Sequence, residues 1–173
     1  MLLTLYLQHL IFDSIIGGKV QKNHHNLSAN YVEENNFLEK LNIPIEDRKV
    51  ILEAIRVHHD KTVNSNLIIE VIKNAECQKF VTLEGALIWL HELGLRGFDY
   101  EKSKELVFYK MNQKKELLTI KKCVERGEDS CKKIIEMFEN NENVSNLKKL
   151  HKYGLEKVPY EEAIENISLK FDE

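Results

Sequence analysis

Two histidine doublets, His24-His25 and His58-His59, hold four of the seven histidines in this 173-residue chain. Composition alone predicts well under one such doublet. A single imidazole near a helix end more often caps carbonyls or sits half exposed, so it is the doubling that points to ligation. A carboxylate joins them. Asp13 falls in the apolar run MLLTLYLQHLIFDSII, where a buried charge is expensive unless a cation or several donors satisfy it. A divalent metal would do that, and an ion pair with His9, one helical turn earlier, would do it equally. One carboxylate with several imidazoles favours Mn, Fe, Co, Ni or Zn over Mg or Ca, which prefer all-oxygen shells. The ligand form is neutral imidazole, so metal affinity should fall as pH drops through the imidazole range of about 6 to 7.

The elements that must position these groups are helices. The opening run reads as a buried helix from about residue 2 to Ile16, stopped by Gly17-Gly18. Asn26 or Ser28 can cap a second helix to about Leu41, with Leu27, Tyr31, Leu38 and Leu41 on one face. Pro44 and Ile45 lead into a third, Glu46 to about His59, carrying Ile51, Leu52 and Ile55 at helical spacing. One doublet thus opens a helix and the other closes the next, and an antiparallel hairpin would bring them to the same end. His59 follows Ile55 by four and Leu52 by seven, and His58 follows Ile55 by three and Ile51 by seven, so both continue the apolar face. The expected ligands are Asp13, His25, His58 and His59, with His24 behind them.

Residues 67 to 93 read as a long or twice-broken helical stretch ending at Gly94 and Gly97, with Glu70, Asn74 and Glu76 as polar intrusions. Helices follow over 100–122 and, after Gly127, over 128–140, then two short pieces around Leu147 and Ile164. The stretch NNENVSN at 140–146 reads as a linker, dividing a domain at 1–141 from an extension at 142–173. No internal repeat stands out. The lysine-rich KMNQKKELLTIKK, residues 110–122, reads as a solvated face.

Composition narrows the function classes. Only 7 Gly and 2 Pro leave little for the turns of an all-β fold. With 25 basic against 28 acidic residues, the formal charge of −3 gives no general footprint for nucleic acid or anionic membranes. Cys77, Cys123 and Cys131 share no C-x-x-C spacing, which suits a reducing cytoplasm rather than a disulfide framework. The opening run has no basic leader and is too short and polar to span a bilayer. No Gly-rich phosphate loop, G-x-S-x-G elbow or H-E-x-x-H occurs.

Over about residues 3 to 138 the arrangement resembles the HD-domain superfamily of metal-dependent phosphohydrolases. LIFDSIIGG is similar to the family's HDIG-type helix end, with Asp13 at the motif aspartate and Phe12 where the histidine stands. HHNLSANYVEENNFLEKLNI resembles its H-x-x-S-A stretch, and ILEAIRVHHD its I-x-x-H helix end. IIEVIKNAECQKFVTLEGALIWL looks like E-x-x-I-x-x-D-A-D-x-L-D-x-x-G-A, keeping Glu70, Ala75 and Gly85-Ala86. It has Asn74, Glu76 and Lys79 in place of the aspartates, and the resemblance leaves Asp13, His24 or His25, His58 or His59 and, at the margin, Glu76 to match a metal site. The helix that supplies the family's first metal histidine would lie before Met1. The resemblance implies an all-α, HD-like helical bundle holding a divalent transition metal and hydrolysing a nucleotide or other phosphate-containing small molecule. The charge balance and the opening run indicate neither a nucleic-acid nor a membrane partner, and the helices beyond Asn146 leave a homo-oligomer open. The alternative is a catalytically inactive HD-fold binding or interaction module.

Overall fold

The computed structural model describes residues 24–58 and 60–170, His24 by its backbone alone. The described residues are helical and contain no strand, so the all-α expectation holds. The expected helix over residues 2–16 lies outside them. The chain divides into two compact units, one ending at Glu76 and the other beginning at Cys77. The first contains α1 (His24–Glu34), α2 (Phe37–Lys40), α3 (Ile45–Val57) and most of α4 (Leu67–Gln78). The second contains a 3-10 turn (Lys79–Val81), α5 (Leu83–Leu95), α6 (Tyr100–Lys115), α7 (Lys121–Glu139), α8 (Asn141–Leu155) and α9 (Tyr160–Glu165). Among the described residues no helix is long and apolar enough to cross a membrane.

In the first unit α1 starts at His24, ahead of the caps expected at Asn26 or Ser28, and Ser28 is wholly buried inside it. Asn36, in the left-handed region at φ 53°, then breaks the helix and resets its face. Ala29, Val32 and Leu38 are therefore buried against Ile55 of α3, while Leu27 and Leu41 are exposed rather than lining one stripe. Tyr31, Phe37, Ile43, Ile51 and Leu52 complete this core. A smaller one joins Ala54 of α3 to Ile69 and Ile72 of α4.

Three helix-to-helix connections share one design. Asn42 (φ 55°), Gly97 (φ 80°) and Lys157 (φ 60°) each follow a helix in the left-handed region. Each donates its N–H three residues back, to Glu39 O, Gly94 O and Gly154 O at 2.8–3.0 Å. The next residue, Ile43, Phe98 or Val158, donates five back, to Leu38 O, Leu93 O and Tyr153 O. That double closure satisfies helix-end carbonyls and seats an apolar residue against the turn it ends. Pro44, Asp99 or Pro159, in extended backbone, then starts α3, α6 or α9.

The second unit has a core of Leu87, Leu90, Val107, Met111, Ile134, Phe138, Leu147 and Leu150. Gly127 does not end a helix. It is buried within α7, where a Cβ would stand 2.6 Å from Leu118 Cδ1. The stretch 140–146 is no linker, because its asparagines satisfy backbone groups. Asn140 caps α8 by accepting from Glu142 N at 2.8 Å, and buried Asn143 both donates to Lys170 O and accepts from Lys170 N at 2.8 Å. α8 and α9 accordingly belong to the second unit rather than to an extension beginning at 142. Nor is the lysine-rich run fully solvated. Lys114 is wholly buried and Lys110 half-buried, their ammonium groups 5.4 and 5.1 Å from the Phe80 ring centre, with Lys79 at 4.9 Å.

These folds expose a repeat that plain reading of the chain misses. LHELGLRGFDYE (90–101) and LHKYGLEKVPYE (150–161) share Leu, His, Gly, Leu, Tyr and Glu in register. In space the two copies embrace reciprocally. A Cβ on Gly94 would collide with the His151 carbonyl and lie 3.3 Å from Gly154 Cα. One on Gly154 would collide with the His91 carbonyl and lie 3.2 Å from Gly94 Cα. His91 Nε2 donates to Val158 O at 2.8 Å and its ring lies edge-on to Tyr160. His151 bonds the Phe98 backbone and lies edge-on to Tyr100. Residue i of one copy meets residue j of the other and j meets i, the signature of a local twofold relation.

The crossing predicts which glycines tolerate a methyl. Gly94→Ala or Gly154→Ala gains about 1 kcal/mol of helix propensity but forces two backbones apart, and should cost about 3 kcal/mol or more net. Gly97→Ala meets nothing within 4 Å and pays only its positive φ, about 1 kcal/mol. Thermal denaturation should place both crossing variants several degrees below Gly97→Ala. Equal losses for all three would contradict the close approach.

Buried His151 adds a pH dependence. Burial pushes its pKa down from 6.5, against the Phe98 hydrogen bond and the Asp99 charge, which pull it up. His151 bonds the Phe98 backbone and, through Nε2, the Ser103 hydroxyl at 3.0 Å, and its burial disfavours the charged ring. The unfolded chain takes up the proton first, so this stability is whole above about pH 6.5 and drains away as pH falls toward the lower folded value. Melting curves from pH 7.5 to 5 should drop less steeply for His151→Gln than for the parent. Parallel curves would refute the assignment.

Candidate metal centre

Two of the expected ligands do come together. His25 lies in the first turn of α1, four residues before Ala29 and seven before Val32, so it extends that helix's buried face. His58 caps the C-terminus of α3, three residues beyond buried Ile55, and is itself buried. The start of α1 thus meets the end of α3, and the two rings stand 6.1 Å apart at 84°, edge to face. The antiparallel hairpin inferred from the doublets is what brings them there.

The chemistry of His58 follows from one hydrogen bond. Its Nδ1 lies 2.7 Å from Ile55 O, and a carbonyl only accepts, so Nδ1 carries the proton. In the neutral ring the lone pair is then on Nε2, and the carbonyl bond fixes the ring's orientation, as in histidines that ligate metals. One turn beyond His25, the wholly buried Ser28 hydroxyl has no hydrogen-bond partner among the described residues. A buried hydroxyl left so is costly unless something else satisfies it.

Other polar groups of this unit are committed to the fold. Glu70, buried on α4, accepts from Asn64 N–H at 2.6 Å and from Asn74 Nδ2 at 3.3 Å, and pairs with Lys73 Nζ at 3.4 Å. Lys73, wholly buried, also donates to Thr62 O at 2.5 Å. The cluster ties the connection after α3 to α4, and it occupies the glutamate and first aspartate positions of the HD-like stretch. Glu76 is buried near the end of α4. Among the described residues no three His, Cys, Asp or Glu side chains gather as metal ligands, so His25, His58 and Glu76 alone do not make a complete site. Asp13, His59 and the His24 side chain lie outside the described residues.

Sequence reasoning passed over His91, His151 and Ser103, whose signal was the sixty-residue repetition of Leu-His-x-x-Gly-Leu. It took Glu70 as a polar intrusion without its partner, although Lys73 one turn on supplies the cation. Comparison with protein-family models, with curated proteins and with solved structures returned no match.

The buried pair makes a sharp thermodynamic case. Glu70→Ala leaves the Lys73 ammonium in the interior and Lys73→Met strands the carboxylate, so each single change should cost about 3–5 kcal/mol. Glu70→Leu combined with Lys73→Met removes both charges and should recover most of the loss. Urea titration measures all three. Additive losses in the double variant would show that the pair is not coupled.

Proposed function

We propose that this chain is an HD-type metal-dependent phosphohydrolase acting on a nucleotide or similar phosphate ester, with a divalent transition metal at the His25/His58 end of α1 and α3. The observation that carries the reading is the meeting of two imidazoles: the His58 ring, held by Ile55 O in the tautomer with its proton on Nδ1, stands 6.1 Å from the His25 ring. The imidazole-rich donor set suits Mn, Fe, Ni, Co or Zn. Unsatisfied Ser28 beside His25 is consistent with a polar occupant. Asp13, His24 and His59 are the groups proposed to complete the set, and Glu76 contributes at its edge. When bound, such a metal polarises a phosphoryl oxygen and brings the pKa of its water near neutrality. The chain's own work is positional: the α1–α3 core sets the spacing of the imidazoles, and the Ile55 carbonyl holds one ring in its ligating tautomer.

A second reading, an HD-fold binding module without catalysis, is favoured by the α4 cluster. Glu70 bonds Asn64 and Lys73, and Asn74 bonds Glu70, so both take part in holding the fold.

Purified protein reconstituted with each of Mn, Fe, Ni, Co and Zn should retain stoichiometric metal and release phosphate from nucleotides or an aryl phosphate. His25→Ala and His58→Ala should each lose most of the metal, with helical content unchanged by circular dichroism. Metal retention without turnover on any phosphate ester would favour the binding module, and full metal content in both variants would refute the ligand assignment.

A further inference from the structure

We infer that a second copy of this protein is a binding partner, through domain exchange about Asn140, with α8 and α9 of each chain docking on α5 and α6 of the other.

The first support is the reciprocity of the internal interface. Gly94 against Gly154, His91 to Val158 O and His151 to the Phe98 backbone join one repeat to the other with little dependence on the chain between them. Ser103 Oγ with His151 Nε2, and Lys148 with Glu101 at 3.8 Å, are likewise contacts between the two segments. Every one of them re-forms when the partners come from different chains, so exchange forfeits none of the interface.

The second support is the hinge. α7 and α8 are long helices separated by Asn140 alone, at φ −70° and ψ 116°. Rotating that one ψ toward the helical value fuses residues 121–155 into a continuous helix of roughly 50 Å. Fusion also removes two helix ends, whose unmatched N–H and C=O groups then bond each other. What holds the bend is the Asn140 cap: its side chain accepts from Glu142 N at 2.8 Å and its carbonyl from Asn143 N at 3.0 Å. A one-residue connection stabilised by a single cap is the kind of hinge that favours exchange. The tail travels with the moving segment, since Asn143 is bonded to Lys170 and Asn146 Nδ2 to Ser168 O.

The test refolds the full chain at high protein concentration and measures mass by light scattering after size separation. The parent should show a dimer that persists on dilution, because release requires unfolding of α8. Asn140→Ala removes a cap worth roughly a factor of five per chain, so the dimer's dissociation constant should fall on the order of thirtyfold, while Asn140→Asp keeps the cap and behaves as the parent. A complementary mixture separates exchange from surface association. Gly94→Val and Gly154→Val each spoil the crossing within their own chain, but an exchanged heterodimer contains one wholly unmodified crossing. Co-refolding should yield a folded heterodimer that neither variant gives alone. A mixture no better folded than its components, or dimers that separate within minutes of dilution, would overturn the proposal.

Discussion

A helix cannot simply stop in an interior, because its last carbonyls need donors, and this protein meets that requirement in the same way at three of its bends. A residue in the left-handed region returns its own N–H and its successor's to the helix just finished, and an extended residue then opens the next one. Asparagine, glycine and lysine all serve at the left-handed position. Their shared role comes from the closure, with an apolar residue behind it, rather than from side-chain identity. Of the three, lysine pays the largest steric penalty and glycine none.

Because α5 and α8 end in the same closure, the residues around those ends acquire matching neighbours. His91 and His151 stand three residues before the paired glycines and reach across to the opposite connection. The absence of a side chain at Gly94 and Gly154 lets two backbones approach to within atomic contact, and the histidines then satisfy carbonyls that the crossing would otherwise bury. Packing and polar satisfaction are here one device, in which a methyl group or a proton at the wrong place disturbs both.

In the first unit the same economy ties buried polar groups into the fold. Glu70 bonds Asn64, Lys73 and Asn74 around the entry to α4, and Lys73 also donates to Thr62 O. His58 gives its Nδ1 proton to the Ile55 carbonyl, which fixes the orientation of its ring. Burial by itself therefore does not mark a ligand.

The amino-acid order determined the helical class, the hairpin of α1 and α3 and the meeting of His25 with His58, since helical spacing and a Pro-Ile start fix which end of its helix each doublet occupies. It also carried Lys73 one turn from Glu70 and the two Leu-His-x-x-Gly-Leu copies, but neither pattern announces a purpose in one dimension. Tertiary structure alone decided that Gly127 sits inside a helix, that the asparagines at 140–146 cap α8 and hold the tail, and that Lys114 is buried. Glycine, asparagine and lysine are read locally as a break, a loop and a solvated surface, because each has a low cost there. Contacts from residues far along the chain repay the higher cost of using them otherwise, and such contacts leave no local periodicity to read.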